Sequence, residues 1–335
     1  MTLSILKKSI ASTIIFFLLN SIGNCAFITH HVVSEGEKTK NELLWQVENI
    51  EPFTELMVSW DATRPQQGFY LIQLRSYTAG WSEWVDYAVW GAQDQYTFKN
   101  ELPKSSIQVV QDTLETTHGV KATGFRVRVV SQGGASFQTY RGLHACATDR
   151  TSHVIARTSP ENVAVELPVI GLSQMMLKDE RSKRICSPTS TTAVIRFLSS
   201  SKLPNPLVFA DAVRDSRFDI YGNWIFNTAE SSNILGGSWQ CYPARLSSFA
   251  QILEILQKGI PVVVSIKGPI IGGASPYESG HLLVVKGFDF RTKEVLCMDP
   301  AFPTDDTTSV RYALDNFLDA WSRRQGLAYI FQRIV

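Results

Sequence analysis

The histidines of this 335-residue chain are unevenly distributed. Five of the six lie at or before His153, so His281 is the only imidazole in the second half of the chain. His281 begins an apolar run that predicts a strand, and a second run, EVLCMD, follows a polar turn near Arg291. The resulting hairpin returns Asp299 to the end of the sheet where His281 lies, whereas Asp289 stays at the far end. A general base and an orienting carboxylate are thereby brought together.

A nucleophile and an oxyanion donor have candidates upstream of this hairpin. A helix is predicted to begin close to Cys186, with Pro188 tolerated in its first turn. A helix N-terminus and a protonated imidazole both favour the thiolate, and Cys186 is placed for both. The side-chain amide of Gln174 is a candidate donor to the oxygen of a tetrahedral intermediate, beside the Cys186 N–H. The hypothesis is a Cys186 nucleophile, a His281 base, an Asp299 orienting group and a Gln174 oxyanion donor.

Each of these residues also has an ordinary structural interpretation. Cys186 fits a buried apolar thiol, His281 a satisfied polar group at a strand edge, and Asp299 a turn former before Pro300. Gln174 fits a solvated side chain. Cysteine, histidine and aspartate occur in most proteins of this length, so spacing alone leaves the catalytic and structural interpretations evenly matched.

The elements that position these residues belong to a second domain, predicted over residues 167–335. Helical patterns come first and strands later, which indicates an α+β arrangement. The predicted strands are PVVVSI, HLLVVKGF, EVLCMD and a closing LAYIFQRI. The apolar positions of the predicted helices recur at three- and four-residue spacing: Ala193, Val194, Phe197 and Leu198 in the first, Leu246, Phe249, Ile252, Leu253 and Leu256 in the second, and Leu314, Phe317, Leu318 and Trp321 in the third.

The first domain, predicted over residues 27–146, alternates apolar and polar residues in short runs such as ELMVSW and GFRVRVVS. Short strands separated by turn residues indicate an antiparallel β-sandwich, and the polar stretch 147–166 is predicted to be a linker. Four tryptophans in this domain favour sandwich core, with an aromatic platform for a glycan or peptide as the alternative: Trp60, Trp81, Trp84 and Trp90.

Composition excludes several classes of protein. A hydrophobic content of 44% with 19% charged residues excludes a disordered chain. Since 32 basic and 31 acidic side chains balance to a net charge of +1, nucleic-acid binding has no electrostatic support. No metal site of convincing spacing is found and no cofactor is expected. The acidic group Asp211, Asp215 and Asp219 has arginines beside it, which predicts a solvated helical face.

The N-terminus has the order of an export signal over residues 1–26. Lys7 and Lys8 precede an apolar run that is shorter than the ~20 residues needed to span a bilayer. A secreted or periplasmic protein is therefore expected. Lipid attachment at Cys25 is disfavoured because the residues before it match the acylation pattern poorly. After removal of the signal four cysteines remain, so at most one disulfide is compatible with a reduced Cys186, Cys146 to Cys241 being the candidate pair.

Five motifs carry a resemblance that extends from about Leu167 to Val335. They are Pro168-Val-Ile-Gly-Leu-Ser-Gln174-Met, Cys186-Ser-Pro-Thr-Ser-Thr, Gly259-Ile-Pro-Val-Val-Val-Ser-Ile, Gly280-His281-Leu-Leu-Val-Val-Lys-Gly-Phe and Asp299-Pro-Ala. Together they resemble the papain-type peptidases related to those that cleave bacteriocin leaders, the thirty-ninth family of cysteine peptidases. The family order of glutamine, nucleophile, histidine and aspartate maps onto Gln174, Cys186, His281 and Asp299.

The resemblance implies an exported peptidase with a peptide or protein substrate. Many relatives carry glycine after the nucleophile, whereas Ser187 stands here, as in the secreted branch. No transporter segment or GxxxxGK[ST] loop accompanies the domain, which argues against leader cleavage. Phe53-Thr-Glu-Leu-Met-Val-Ser-Trp60 and Gly80-Trp81-Ser-Glu-Trp84 resemble the sandwich that precedes such peptidases. The alternatives are acyl transfer or deamidation by the same residues, and a binding protein with an inactive peptidase domain. The oligomeric state has no sequence signal.

Overall fold

A computed structural model of the chain describes residues 27–32, 37–100, 105–158 and 162–334. The predicted export signal, with Cys25, lies outside these residues. Among the helices that the structure describes, none is long and apolar enough to cross a membrane. The described residues form an N-terminal β-rich part and a C-terminal part in which helices pack on an antiparallel sheet.

The described residues of the N-terminal part form eleven antiparallel strands. They are β1 Phe27–Val32, β2 Glu37–Lys38, β3 Glu42–Phe53, β4 Glu55–Ala62, β5 Phe69–Tyr77, β6 Val85–Gly91, β7 Gln95–Asn100, β8 Ile107–Gln111, β9 Thr113–Thr116, β10 Ala122–Gln132 and β11 Tyr140–Thr148. They hydrogen-bond in the order β1-β11-β4-β9-β8-β7-β6-β5-β10-β3-β2. The predicted sandwich therefore takes the form of one continuous antiparallel sheet, with β7 joining the β8 side to the β6 side.

Alternation of apolar and polar residues gives this sheet an apolar face. In β5 every second residue is buried, beginning with Tyr70 and ending with Ser76, and the intervening side chains are more exposed. Trp60 and Trp90 are fully buried, and their rings meet edge to face with centroids 5.7 Å apart. These two indoles are therefore core residues, as the sequence favoured.

The C-terminal part contains five helices and a second antiparallel sheet. The helices are α1 Cys186–Ser199, α2 Pro206–Val213, α3 Trp224–Leu235, α4 Phe249–Gln257 and α5 Leu314–Ser322. The strands are β12 Ala164–Glu166, β13 Trp239–Arg245, β14 Val262–Ile266, β15 His281–Asp289, β16 Glu294–Met298, β17 Ser309–Ala313 and β18 Leu327–Arg333. Six of the strands have the order β13-β18-β14-β15-β16-β17, and β12 pairs with β15. The α+β class and the antiparallel sheets agree with the fold expected from the sequence.

Both ends of the segment between the two parts lie in strands. The predicted linker, 147–166, begins inside β11 and ends in β12, which pairs with β15 of the second sheet. Ala156 also forms a parallel bridge with Ser248. The two parts share one apolar core, in which Phe226 of α3 contacts both Trp60 and Trp90 of the first sheet. The two parts consequently form one packed body.

Asp215 corrects the expectation of a solvated acidic face. Its side chain is fully buried and accepts hydrogen bonds from the Thr97 N–H at 3.1 Å, the Thr97 hydroxyl and the Asn223 amide. The Asp219 side chain is about 50% exposed and pairs with Arg184, as a solvated carboxylate would. The charge pattern was interpreted wrongly at Asp215 because its partner in the first sheet is 118 residues away.

Candidate active site

The hairpin of β15 and β16 places a carboxylate beside an imidazole. His281 is the first residue of β15, and Asp299 directly follows β16. The His281 Nε2 lies 2.7 Å from Asp299 Oδ1, and both side chains are buried. With Nε2 directed at the carboxylate, the imidazole leaves Nδ1 for a second partner. The local geometry therefore has the form of a base oriented by a carboxylate.

Asp299 is held by donors on both of its carboxylate oxygens. Oδ1 also accepts the Ala301 N–H at 3.0 Å, and Oδ2 accepts the hydroxyls of Tyr277 and Tyr312, each at 2.8 Å. Burial by itself would raise the Asp299 pKa, but His281 and these donors outweigh burial and hold the pKa below its ordinary value. Asp299 is therefore an ionised, fully hydrogen-bonded partner for the imidazole.

Tyr277 fixes the plane of the imidazole as well as the carboxylate. Its ring is stacked on that of His281, with centroids 4.2 Å apart and an interplanar angle of 4°. Tyr277 has a left-handed φ of 49°, which an L-residue adopts at a cost, and the Tyr277 hydroxyl also accepts the Ala274 N–H at 3.1 Å. The loop between β14 and β15 thus presents one side chain to both members of the pair.

Cys186 supplies the thiol at the beginning of α1. The N-cap residue Ile185 forms no side-chain capping bond. The first N–H groups of α1 therefore have no capping side chain, and they lie at the end of the helix that carries the thiol. Ser190 donates to the Leu282 carbonyl at 3.0 Å, and Ser187 lies within hydrogen-bonding distance of Tyr329 at 3.0 Å. These bonds attach the first turns of α1 to β15 and β18, which brings Cys186 to the end of the sheet where His281 lies.

The thiol and the imidazole shift each other's protonation. Burial alone would raise the Cys186 pKa, but a hydrogen bond and the charge of His281, with the N–H groups of Leu282 and Ser187, lower it below its ordinary value. Burial alone would lower the His281 pKa, but Asp299 and Cys186 raise it to about 10. Both directions favour a thiolate and an imidazolium.

Gln174 is joined to the carboxylate side of this site. It begins a short turn of helix, and its N–H donates to the Pro300 carbonyl at 2.9 Å, one residue beyond Asp299. Its side chain is 4% exposed, and Oε1 accepts no hydrogen bond from the described residues. Buried amide oxygens normally have donors, so Gln174 Oε1 is an exception in the part of the chain that the structure describes.

Comparisons with known proteins place this geometry in a family. Residues 166–329 match the model of the Peptidase_C39 like family, and residues 44–138 match the model of the Peptidase C39 N-terminal domain. The chain thus contains a C39-like peptidase domain and, before it, a C39 N-terminal domain. A solved structure described as a C39-like peptidase from Bacillus anthracis is 14% identical, with a TM-score of 0.40, over 52% of this chain and 99% of the other. A search of the curated proteins found no match.

The other described cysteines of the chain do not share the environment of Cys186. Cys146, Cys241 and Cys297 are buried, and all four cysteines that the structure describes are free, so the Cys146–Cys241 disulfide is absent from it. Burial is the largest cause that raises the pKa of each of the other three thiols. Cys186, which is half-buried, is the one that faces a cavity.

Sequence reasoning missed Tyr277 and Tyr312. Tyr277 lies in a loop of Gly, Ser and Pro residues that carries no periodic signal. Tyr312 lies opposite Val295 in the pairing of β17 with β16, so recognition of that strand would have placed Tyr312 on the hairpin but not beside Asp299. The strand was missed because its five residues are too few to show a clear alternation of apolar and polar side chains.

Trp81 and Trp84 lie apart from this site on the first sheet. The Arg75 guanidinium lies over both rings, at 5.1 and 4.6 Å from their centroids. Arg126 covers Trp81 at 4.1 Å, and Arg128 covers Trp84 at 4.4 Å. The indole faces that would form an aromatic platform are therefore occupied by guanidinium groups.

Proposed function

We propose that this chain is a cysteine peptidase in which Cys186 is the nucleophile, His281 the general acid and base, and Asp299 the orienting carboxylate. Gln174 is the side-chain oxyanion donor of the proposal. The observation that carries it is the 2.7 Å pair of His281 and Asp299, whose imidazole lowers the pKa of a thiol at a helix N-terminus. The match of residues 166–329 to the Peptidase_C39 like family supports this reaction class. Export through residues 1–26 is part of the same proposal.

The first half of the reaction forms a thioester. The Cys186 thiolate attacks the carbonyl carbon of a peptide bond, and the oxyanion accepts hydrogen bonds from Gln174 and from the Cys186 N–H. The tetrahedral intermediate collapses with cleavage of the C–N bond, and the leaving amine takes the proton of the His281 imidazolium. The acyl group then remains on the Cys186 sulfur.

The second half of the reaction releases the acid. Neutral His281 accepts a proton from water, whose oxygen attacks the thioester carbonyl. Cleavage of the C–S bond releases the carboxylic acid and restores the Cys186 thiolate beside the imidazolium. Asp299 keeps its charge throughout, since it orients the imidazole and stabilises the protonated ring.

Selective alkylation tests the thiolate on which this mechanism depends. An unperturbed thiol is less than about 1% ionised at pH 6, whereas a thiolate paired with His281 reacts readily with iodoacetamide. We expect rapid modification of Cys186 at pH 6 in the wild-type chain, located by peptide mass mapping. His281→Ala should remove most of that reactivity.

Two further results decide the matter. Cys186→Ala should abolish peptide hydrolysis and leave the circular-dichroism spectrum unchanged, because the substitution removes one sulfur from a half-buried position. Equal alkylation of wild type and His281→Ala at pH 6, or hydrolysis that survives Cys186→Ala, would refute the proposal.

A further inference from the structure

The cavity that Cys186 faces is built by both parts of the chain. It has a volume of about 830 Å³. The first sheet contributes the tip of the β8–β9 hairpin around Asp112, and the second part contributes the start of α1, the backbone around Gly280 and the turn after α5 that carries Arg324. The hairpin of the N-terminal part is thus a wall of the candidate active site.

Positive charge predominates in the walls of this cavity. Its lining has three acidic side chains and six basic ones. The acidic residues are Glu55, Asp112 and Glu115, and the basic ones are Arg150, Lys183, Arg184, Arg245, Arg323 and Arg324. Several of the arginines pair with a carboxylate of the cavity wall or of a neighbouring segment. Only a basic side chain without such a pair presents an uncompensated positive charge to the cavity.

Arg245 is a neutralised guanidinium. It binds both carboxylate oxygens of Glu55, with Nε to Oε1 at 2.5 Å and Nη2 to Oε2 at 2.9 Å. Arg150 pairs with Glu55 and Glu115, and Arg184 pairs with Asp219. These three arginines therefore have carboxylate partners within the protein.

Arg324 has no such partner among the described residues. Its Nη2 donates to the Ser279 carbonyl at 2.8 Å, while its Nε is buried without a hydrogen-bond partner. A guanidinium has five N–H donors in a planar fork, so most of its donor capacity remains unused here. Burial of the Nε donor without a partner costs free energy, and a ligand that accepts hydrogen bonds from the guanidinium would offset that cost.

The Arg324 guanidinium also lies close to the reacting residues. A Cβ placed on Gly280 would be 2.0 Å from Arg324 Nη2, so the guanidinium packs directly against the residue before His281. Gly280 has a φ of 100°, which other residues rarely adopt. Arg324 therefore packs against the residue that precedes His281, at the cavity that Cys186 also lines.

Asp112 also lines the cavity. Burial lowers the Arg324 pKa, and the charge of Asp112 is the main cause that raises it against the effect of burial. Its Oδ2 accepts the Trp224 N–H at 3.0 Å, and no ion pair within 4.0 Å joins it to Arg324 in the part of the chain that the structure describes. Within the described ranges, the Arg324 guanidinium thus has no direct carboxylate partner at the cavity that it lines. A substrate carboxylate would be attracted by Arg324 and kept away from Asp112.

We propose that Arg324 binds a carboxylate of the substrate next to the scissile bond, which makes acidic peptides the preferred substrates. The planar guanidinium fork matches a carboxylate and forms two charge-assisted hydrogen bonds with it. This inference rests on the proposed peptidase function for the location of the scissile bond. The carboxylate is an acidic side chain or the free C-terminus of a peptide, and both present the same group to Arg324.

Peptide binding to the full chain carrying Cys186→Ala tests the inference without turnover. The probes are acetylated hexapeptide amides in which Glu or its neutral counterpart Gln occupies one position at a time, and the same peptides with a free C-terminal acid. We expect at least one Glu peptide or free acid to bind about 10- to 100-fold more tightly than its neutral counterpart, as measured by calorimetry. Which series shows the preference identifies the source of the carboxylate.

Arg324→Gln, added to Cys186→Ala, should reduce that preference to less than about twofold. Gln removes the charge and retains a donor for Ser279. The control is Arg311→Gln, which removes a positive charge that pairs with Glu294 outside the cavity. Equal binding of acidic and neutral peptides, or an equal loss of both in Arg324→Gln, would overturn the inference, the second result indicating a structural role.

Hydrolysis by the wild-type chain separates this inference from the proposed function. If the wild type hydrolyses no peptide while the Arg324-dependent preference persists, the peptidase proposal fails and the carboxylate site stands. If hydrolysis occurs with no acidic preference in binding, the peptidase proposal stands and the carboxylate site fails.

Discussion

Two buried pairs of histidine and aspartate in this chain have nearly the same geometry. The His281 Nε2 lies 2.7 Å from Asp299, and the His144 Nε2 lies 2.6 Å from Asp61. Each imidazole is stacked on a tyrosine, with centroids 4.2 Å apart for Tyr277 on His281 and 5.0 Å apart for the ring on His144. The pair by itself therefore does not identify an active site.

The thiol beside each pair makes the difference. The Asp61 carboxylate accepts the Cys241 N–H at 3.5 Å and the Ser232 hydroxyl. Burial, followed by the charge of Asp61, raises the Cys241 pKa well above its ordinary value, so that thiol stays protonated. Cys186 instead faces the imidazole from a helix N-terminus, and its pKa is lowered. The candidate active site therefore differs from the other cluster in what its cysteine meets. Cys186 faces the histidine of its pair, whereas Cys241 contacts the aspartate of the other pair.

The surroundings of the two pairs agree with this distinction. Asp61 and His144 lie on neighbouring strands, β4 and β11, and Ser232 comes from α3 of the other part of the chain. Their cluster therefore connects the first sheet to the helical layer. Asp299 and His281 lie at one end of a hairpin, beside a thiol that faces a cavity.

Neutralising Asp299 should mainly reduce activity, whereas neutralising Asp61 should mainly reduce stability. Asp299→Asn removes the charge that stabilises the imidazolium and the thiolate, so we expect kcat/KM to fall on the order of 10²-fold. Asp61→Asn should leave kcat/KM of the folded protein within about threefold and lower the free energy of unfolding by about 2–4 kcal/mol, because it breaks a buried charged cluster. Peptide hydrolysis and urea unfolding measure the two effects. An Asp61→Asn protein that is stable but inactive would contradict the comparison.

The local half of the candidate site was predictable from the sequence. A hairpin joins His281 to Asp299 over 18 residues, so strand pairing alone brings them to one end of the sheet. Cys186 meets His281 only through packing of α1 on β15, and its role was inferred from family resemblance. Asp112 reaches the cavity from the other part of the chain, which no local pattern reports.

Most of the fold was also predictable, and the omission of one helix has a physical cause. The helices α1, α4 and α5 and the strands of the second sheet with long apolar runs follow the expected periodicity. Helix α3 was not assigned because Asn227, Thr228 and Ser231 are buried polar residues and hide its apolar stripe. Their partners are backbone groups of the same segment, as in the bond from Asn227 to the Tyr221 carbonyl. Polar residues that are satisfied locally obscure the hydrophobic pattern.

The alkaline limb of the pH profile should distinguish the two carboxylates. Although burial would lower the His281 pKa, Asp299 and Cys186 raise it to about 10, so the imidazolium persists below that pH and is lost above it. We therefore expect kcat/KM to decline as the pH rises through about 10. Asp299→Asn removes the carboxylate that raises this pKa, so the limb should move to lower pH by about 1–3 units. Asp61→Asn should leave the alkaline limb in place. An alkaline limb that does not move in Asp299→Asn would contradict the assignment of Asp299 as the carboxylate that raises the His281 pKa.

The smallest effect concerns the tyrosines that accompany each pair. Tyr277→Phe keeps the ring stacked on His281 but removes one of the two hydroxyls that donate to Asp299 Oδ2, while Tyr312 retains the other. Because Tyr312 still donates to the ionised carboxylate, we expect the loss of this hydrogen bond to raise the activation barrier by about 1 kcal/mol and kcat/KM to fall about three- to tenfold. The matched control is Tyr242→Phe, whose hydroxyl lies 3.1 Å from Gln332 and whose ring stacks on His144, and it should leave kcat/KM unchanged. An equal decrease in both variants would mean that the tyrosines act through stability, whereas a decrease in Tyr277→Phe alone would locate catalysis at the His281 pair.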